Sequence, residues 1–224
     1  MVVTYETLKN DEQVRSYIQA GNDALKALGF TEHYFPHLCH TAEIAAMILK
    51  ELDYPDETIE LAKIAGLLHD IGNMINRTFH AASGAEIART ILERYGMSFK
   101  DIGAVCSAIG NHDEGTGKPV NAISAALIIA DKTDVRRSRV QETCMENILA
   151  DIHDRVNYAV TRAEIKTIHT EAKILIRLCL DIDIDFTPVM DYFEIFLTRM
   201  VLCRRAAAFL DTEFELFIND SKIV

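Results

Sequence analysis

A histidine and an aspartate, His69-Asp70, directly follow the apolar run KIAGLL at residues 63–68. In a helix that begins after Pro55 and continues to Asp70, the polar residues form one narrow stripe, so nearly all of the helix faces protein. An ionised carboxylate at the inner end of such a helix is too costly to leave unpaired. A metal ion bound by the imidazole and the carboxylate is its natural partner. The chain therefore has to fold around a charged centre within its core.

Other histidines and one aspartate occur where further predicted helices begin or end. His40 lies in the first turns of one helix, His80 opens another, and His112 comes just after the end of a third. The segment 122–130 is apolar almost all round and leads into Asp131. A carboxylate in that position could cap neighbouring backbone groups or bind a metal. These residues are candidates to join His69 and Asp70 in one metal site.

The composition is that of a soluble globular protein, with 49% hydrophobic and 25% charged residues in a chain of 224. The formal net charge of −11 argues against binding to extended nucleic acid or to an anionic membrane. No apolar stretch approaches the roughly 20 residues of a membrane span, and residues 1–10 lack the pattern of a signal peptide. Five scattered cysteines without a C-x-x-C pair are typical of reduced thiols. These features predict a cytoplasmic location.

The first two thirds of the chain have the periodicity of helices, and the last third changes to the alternation of β-strands. The predicted helices are Thr4–Leu28 (with breaks), His37–Leu52, Asp56–Asp70, His80–Tyr95, a fifth from Ser98 that fades at Gly110, and Ala122–Ala130. The later elements are strands at Ala163–Ile168 and Lys173–Ile184, a helix from Pro188 through Ala208, and a last strand at Phe214–Ile218. We therefore predict a mainly α protein, with a helical domain over residues 1–156 and a small ββαβ subdomain of α+β type over residues 157–224.

Five motifs follow one another in a recognisable order. They are H-T-A-E-I-A from His40, L-H-D-I-G from Leu68, H-A-A-S-G-A-E-I from His80, N-H-D-E from Asn111 and I-A-D from Ile129. This order resembles the HD-domain family of metal-dependent phosphohydrolases, in its His-Asp-Ile-Gly subgroup. The resemblance covers about residues 37–139, under half of the chain. It implies a helical-bundle core with the active site between the helices.

The resemblance also implies a ligand set for two metal ions. The four ligands of the family's first metal match His40, His69, Asp70 and Asp131. The two further histidines of members with a second metal match His80 and His112, and Asp70 then bridges the pair. Imidazole and carboxylate ligands favour two divalent transition-metal ions, of Fe, Mn, Zn or Ni. Such a centre suits hydrolysis of a phosphomonoester, phosphodiester or nucleotide anhydride, with metal-bound hydroxide as nucleophile and His69 and Asp70 as its catalytic residues.

A substrate phosphate needs positive charge beyond the metals. The candidate phosphate-binding residues, which lie near the ligands in sequence, are Lys132, Arg136, Arg137, Lys118 and Arg77. Solvated surface charge is the alternative interpretation of each. Asn73 stands where many relatives carry lysine after the His-Asp-Ile-Gly motif, and Arg77, one helical turn further on, could substitute for it.

Several alternatives stay open at this point. His33 and His37 share a helical face with His40 and could line the rim of the site, and Asp113 and Glu114 could act as outer acceptors or as a general acid. Besides a phosphohydrolase, the same ligands would suit a di-iron oxygenase of this fold or a non-catalytic ligand sensor. We expect a small, nucleotide-like phosphorylated substrate, no extended nucleic acid, no membrane partner, and a homodimer formed through exposed strand edges of the C-terminal subdomain.

Overall fold

The computed structural model describes residues 3–224, so Met1 and Val2, at the start of the predicted first domain, lie outside the described residues. The helices are α1 (Tyr5–Lys9), α2 (Glu12–Ala27), α3 (Phe35–Glu51), α4 (Asp56–Leu68), α5 (His80–Arg94), α6 (Phe99–Gly110), α7 (Ala122–Lys132), α8 (Met145–Ala150), α9 (Ile152–Ala159) and α10 (Val189–Phe209). Short 3-10 helices occupy Ile71–Met74 and Arg137–Arg139. The strands are β1 (Val160–His169), β2 (Ile174–Ile182), β3 (Glu213–Ile218) and β4 (Ser221–Lys222).

The first predicted helix is divided in two, because α1 ends at Lys9 and α2 begins at Glu12. Asp11 has an extended backbone, and its carboxylate accepts a hydrogen bond from the amide of Val14 at 2.9 Å. An aspartate in this position satisfies an amide that lacks a partner within the helix, and so starts a new helix. Tyr95 also donates its hydroxyl to Asp11 at 2.6 Å, which ties α2 to the end of α5.

Helix α4 lies at the centre of the helical domain, against α3, α6 and α7. Gly66 permits its close approach to α3, since a Cβ atom on Gly66 would lie 2.6 Å from the Cα atom of Ala42. Helix α7 begins with a capping box formed by Asn121 and Ser124, and every residue of α7 after Ala122 is buried. The ends of α4 and α7 therefore place His69, Asp70 and Asp131 inside the protein.

The C-terminal part forms one sheet with the strand order β1-β2-β3-β4. Strands β1 and β2 are antiparallel, β2 and β3 are parallel with α10 as the crossover, and the two-residue β4 pairs antiparallel with β3. The predicted mainly α fold with a small ββαβ element is confirmed, and β4 is an addition to it. Helix α9 runs across the predicted domain boundary at residues 156 and 157, which stays a prediction. Helix α10 packs on one side against β3 and on the other against α7.

From residue 3 to residue 224, none of the helices combines the length and the hydropathy that a bilayer crossing requires.

Candidate metal centre

Six side chains with metal-binding atoms converge between the helices of the first domain, and none of them is more than 9% exposed. Helix α3 contributes one histidine, the His-Asp pair directly follows α4, and α5 begins with a histidine. The last two side chains come from the residue after Asn111, behind α6, and from the last turn of α7. The residues are His37, His69, Asp70, His80, His112 and Asp131. They form three overlapping groups within which the ligand atoms lie less than 4.8 Å apart: His37-His69-Asp70, His69-His112-Asp131 and Asp70-His80-His112.

Backbone carbonyl groups orient three of the imidazoles in the same way. Nδ1 of His69 lies 2.8 Å from the carbonyl oxygen three residues earlier in the chain, and His80 and His112 make the same contact at 2.9 and 2.6 Å. A carbonyl oxygen only accepts, so Nδ1 carries the proton in each ring. The lone pair of the neutral imidazole is then on Nε2, which faces the carboxylates.

The two oxygens of Asp70 face different histidines. Oδ2 lies 3.3 Å from Nε2 of His69 and 3.8 Å from Nε2 of His37. Oδ1 lies 3.4 Å from Nε2 of His80 and 3.8 Å from Nε2 of His112. Asp70 therefore lies between two pairs of imidazoles, one at each carboxylate oxygen.

Asp131 completes the group around His37 and His69. Its Oδ1 lies 3.4 Å from Nε2 of His37 and 3.6 Å from Nε2 of His69. Its Oδ2 accepts from the ammonium group of Lys132 at 2.7 Å. Asp131 caps no backbone amide in residues 3–224, so of the two roles open to it from the sequence, the ligand position is the one that its surroundings support.

The donor set fits a divalent metal ion. Nε2 of His37 and Nε2 of His69 are buried and have no hydrogen-bond partner within residues 3–224. Two ligand atoms that each lie about 2.1 Å from one ion are at most about 4.2 Å apart. The distances of 3.3 to 3.8 Å from these two nitrogens to the Asp70 and Asp131 oxygens satisfy that limit. Unpartnered imidazole nitrogens beside two carboxylates are the arrangement that a bound cation would satisfy.

The ionisation of these side chains follows from burial and from the two carboxylates. Burial opposes protonation of His69, but Asp70 and Asp131 outweigh it and raise the pKa of His69 to about 10. Burial also opposes ionisation of Asp70 and Asp131, and the adjacent His69, together with Lys132 in the case of Asp131, keeps the pKa of both carboxyls well below the usual range. Burial lowers the pKa of His80 to about 4. The two carboxylates thus stay ionised, and a metal would compete with a proton at His69.

The predicted ligand His40 lies outside this group, which contains His37 instead. The side chain of His40 is 37% exposed, and its Nε2 is 3.9 Å from Oδ1 of Asp134. Nδ1 of His37, in contrast, lies 2.7 Å from Oδ2 of Asp134 deep in the core. The register of α3 decides between the two, because the face of α3 that carries His37 packs against α4 and α7. His33 precedes α3, with its Nε2 3.9 Å from Oδ2 of Asp70.

A cavity of about 290 Å³ opens beside the six-residue group. Asp70, His80, His112 and Asp131 form part of its wall. Its cationic lining residues are Arg77, Lys132, Arg139 and Arg199. The cavity is also lined by residues of the α2–α3 loop and of α9 and its N-terminal cap, which are Leu28, Gly29, Phe30, Thr31, Asp151, His153 and Asn157.

Only two of the five predicted phosphate-binding residues line this cavity, Arg77 and Lys132. The guanidinium of Arg136 is bound to the carboxylate of Asp134. Arg137 lies over the ring of Tyr158 at 4.5 Å. Lys118 is exposed and does not contribute to the cavity wall. Arg136, Arg137 and Lys118 are therefore near the candidate metal-binding residues in sequence but do not line the cavity.

Glu114 is part of a partly buried chain of ion pairs next to the cavity. Its carboxylate pairs with Lys132 at 2.7 Å and accepts from Arg199 at 3.0 Å. Burial opposes its ionisation, but Lys132 and Arg199 outweigh burial and lower the pKa of Glu114 to about 2. Glu114 is therefore ionised at neutral pH, and of its two open roles it fits that of an acceptor and not that of a general acid.

Comparisons with known proteins identify a family and several relatives of this chain. A family model described as HD domain matches residues 34–159, more than half of the chain. Ribonuclease Y of Enterococcus faecalis is 27% identical in a match that covers 66% of this chain and 30% of that protein. Ribonuclease Y of Opitutus terrae is 30% identical over 57% of this chain and 27% of that protein. A crystal structure of a predicted HD superfamily hydrolase from an uncultured Thermotogales bacterium matches with a TM-score of 0.43 at 25% identity, over 58% of this chain and 73% of that one.

The chain therefore belongs to the HD-domain family, and the resemblance drawn from its motifs is confirmed. It spans about 30% of the length of the ribonucleases Y that it matches.

Proposed function

We propose that this protein is a metal-dependent phosphohydrolase with a dinuclear centre. The observation that carries the proposal is the position of Asp70, whose two oxygens face two separate pairs of histidines. One ion would be held by His37, His69, Asp70 and Asp131. The other would be held by Asp70, His80 and His112. Asp70 would then contribute to both groups, and pairs of metal ions held close together serve reactions at phosphoryl groups.

The residues of the chain have distinct tasks in such a reaction. Two ions of Fe, Mn, Zn or Ni would suit this mixed shell and, when bound, would polarise a phosphoryl oxygen and lower the pKa of a water molecule. The six side chains are buried beside the cavity, and the backbone carbonyl contacts of His69, His80 and His112 fix their ring orientations. Arg77 lies on the cavity wall with its Nη1 3.7 Å from Oδ1 of Asp70, where it would meet a substrate phosphate.

The charges around the cavity favour a small phosphorylated substrate such as a nucleotide. A second, adjoining depression shares Gly29, Phe30 and Asp151 with the cavity, and its charged lining residues are Lys26, Glu142, Asp151 and Asp154. Three carboxylates against one ammonium would repel a long phosphate backbone that ran from the cavity into this depression. The related ribonucleases Y act, by their name, on RNA. A short phosphodiester would bring the same chemistry to this site without reaching the acidic depression.

The test is a metal-reconstituted assay on the whole chain. Protein loaded with Mn²⁺, Fe²⁺, Zn²⁺ or Ni²⁺ is incubated with nucleotides, small phosphorylated metabolites, dinucleotides and a longer RNA. We expect metal-dependent hydrolysis of small substrates, and its loss when His69→Ala is combined with Asp70→Ala. His169→Ala, at an exposed histidine of β1, is the matched control and should retain activity. Turnover that survives in the double variant, or a clear preference for long RNA, would contradict the proposal.

The same assay separates the two alternatives drawn from the family resemblance. Hydrolysis continues without oxygen, whereas an oxygenase reaction with these ligands stops. A ligand sensor would bind metal in the same groups and turn over none of the phosphate compounds.

We also propose that two chains pair through the sheet of the C-terminal subdomain. Strand β1 is an edge strand, since within the described part of the chain it pairs with β2 alone. Unpaired edge groups are a common route to association between copies of a chain. Light scattering measures the molar mass of the protein in solution. The mass of a monomer at micromolar concentration would contradict this pairing.

A further inference from the structure

Helix α10 contributes to the cavity although it lies outside the part of the chain that matches the HD domain. The family match ends at residue 159, and α10 covers Val189–Phe209. Its packing against α7 places Phe196 and Arg199 on the cavity wall beside Asp131 and Lys132. The C-terminal subdomain thus contributes one aromatic ring and one cation to the metal-binding cavity.

Two contacts hold the guanidinium of Arg199 in place. Its Nε donates to Oε1 of Glu114 at 3.0 Å, and its central carbon lies 4.8 Å from the centre of the Phe196 ring. The side chain is 24% exposed. Neither terminal nitrogen donates to a protein acceptor anywhere in residues 3–224. Glu114 therefore orients the guanidinium of Arg199 at its Nε, and Phe196 packs against its plane. Its two Nη groups remain available.

Glu114 connects Arg199 to the metal centre through a chain of alternating charges. Asp131 pairs with Lys132, Lys132 with Glu114, and Glu114 with Arg199, at 2.7, 2.7 and 3.0 Å. Lys132 is buried and bound on both sides by carboxylates, so its charge is consumed within the protein. Arg199 is the last member of the chain, and both of its Nη groups are without a protein acceptor among residues 3–224.

The two other arginines of the cavity also differ in whether the protein uses their N–H donors. Arg139 donates to the carbonyl oxygens of Glu32 and Asp134 through Nε and both terminal nitrogens, and so holds the α2–α3 loop in place. Arg77 makes only long contacts, 3.4 Å from its Nη1 to Asn73 and to His80. Arg77 is close to Asp70, whereas Arg199 is linked to Asp131. Each of the two available guanidinium groups is therefore associated with a different carboxylate, Arg77 with Asp70 and Arg199 with Asp131.

We propose that Arg199 binds an oxygen of the substrate's phosphoryl group, so that the C-terminal subdomain completes the active site. The guanidinium offers two parallel N–H donors, which match the spacing of phosphate oxygens. Phe196 and Glu114 orient the group before a ligand arrives, which reduces the entropy lost on binding. This inference rests on the proposed phosphohydrolase function and adds to it a substrate contact that the HD-domain match does not include.

The test compares Arg199→Met and Arg199→Lys with Arg204→Met, at an exposed arginine of the same helix. Inorganic phosphate is titrated calorimetrically into each metal-loaded protein, and bound metal is measured in parallel. We expect a dissociation constant for phosphate about tenfold or more higher in Arg199→Met, because a charge-assisted bidentate contact is lost. The dissociation constant of Arg199→Lys should lie between those of Arg199→Met and the unchanged protein, because an ammonium group lacks the planar pair of donors of a guanidinium. Arg204→Met should bind phosphate like the unchanged protein, and all variants should hold the same amount of metal.

Two outcomes overturn the inference. Equal phosphate affinity in Arg199→Met and Arg204→Met would remove Arg199 from the binding site. A loss of bound metal in Arg199→Met would make it a positioning residue that acts through Glu114 and Lys132. Failure of the proposed function looks different, since the unchanged protein would then bind phosphate and hydrolyse no phosphate compound.

Discussion

His37 and Asp134 form a buried pair in which Nδ1 of the imidazole lies 2.7 Å from Oδ2 of the carboxylate, and both side chains are inaccessible to solvent. The ionised carboxylate accepts a hydrogen bond from Nδ1–H, and Nε2 of His37 faces Asp70 and Asp131. Burial opposes ionisation of Asp134, but the hydrogen bonds from His37 and Arg136 and the charge of Arg139 outweigh it and hold its pKa well below the usual range. In the proposed metal centre, Asp134 would orient His37 without itself binding the metal.

Replacement of Asp134 should therefore weaken metal binding without touching a ligand. Asp134→Asn keeps the shape of the side chain and removes the charge that supports His37, Arg136 and Arg139. We expect an apparent metal affinity about 10–100-fold lower, measured by competition with a chromophoric chelator. Asp185→Asn, at an exposed carboxylate in the loop before α10, is the control. Equal affinities in the two variants would show that His37 does not depend on Asp134.

The two histidines of the first turns of α3 should respond differently to substitution. His37→Ala removes a nitrogen that lies 3.4 Å from Asp131, whereas His40→Ala removes a ring that is 37% exposed and 3.9 Å from Asp134. We expect His37→Ala to bind metal at least about tenfold more weakly and to lose most of the rise in Tm that metal causes. His40→Ala should resemble the unchanged protein in elemental analysis and in thermal melts. The reverse pattern would restore His40 as the ligand.

The crossing of α3 and α4 should tolerate no side chain at Gly66. Its Cβ would lie 2.6 Å from the Cα and 2.7 Å from the amide nitrogen of Ala42, so Gly66→Ala has to push two helices apart. We expect a loss of about 1–3 kcal/mol in the free energy of unfolding, measured by urea denaturation. Gly103→Ala in α6 meets no atom within 4 Å and should instead add up to ~1 kcal/mol, because alanine favours the helix. A neutral Gly66→Ala would mean that the helices are further apart than described.

Asp11 should make stability depend on pH in the acid range. Burial opposes its ionisation, but the hydrogen bonds from Tyr95, Val14 and Arg94 outweigh burial and keep the pKa of Asp11 below its usual 3.8. A carboxyl with a lowered folded pKa stabilises the fold above its unfolded pKa, and this contribution is lost as the pH falls through the folded pKa. We expect Asp11→Ala to reduce the free energy of unfolding by about 1–2 kcal/mol at pH 7.

The control for this prediction is Asp11→Asn, which keeps a capping oxygen and removes the charge. Its loss of stability at pH 7 should be smaller than that of Asp11→Ala. In both variants the difference from the unchanged protein should shrink as the pH falls below the usual pKa of the carboxyl. A difference that is constant from pH 7 down to acid unfolding would assign the whole effect to packing.

Much of the fold could be predicted from the sequence because each helix and strand has a recognisable local pattern of residues. The period of apolar residues distinguishes α4 and α7 from β1 and β2, and breaks such as Gly29 and Gly96 lie where helices end. The family motifs likewise predicted five of the six converging side chains, which are His69, Asp70, His80, His112 and Asp131. All five lie at or next to a helix end. A helix end fixes the direction of its side chain through nearby backbone contacts.

The sequence by itself thus determined the helical core, the ββαβ element and the presence of a buried His-Asp centre. Only the tertiary structure decided between His37 and His40, because residues three apart lie on neighbouring parts of one helix face and the packing of α3 selects which of them is buried. The same holds for the cations of the cavity. Arg136 and Arg137 lie near Asp131 in sequence and are bound elsewhere, whereas Arg199 comes from a distant helix. Which charges meet across a cavity depends on how separate elements pack, and no local pattern carries that information.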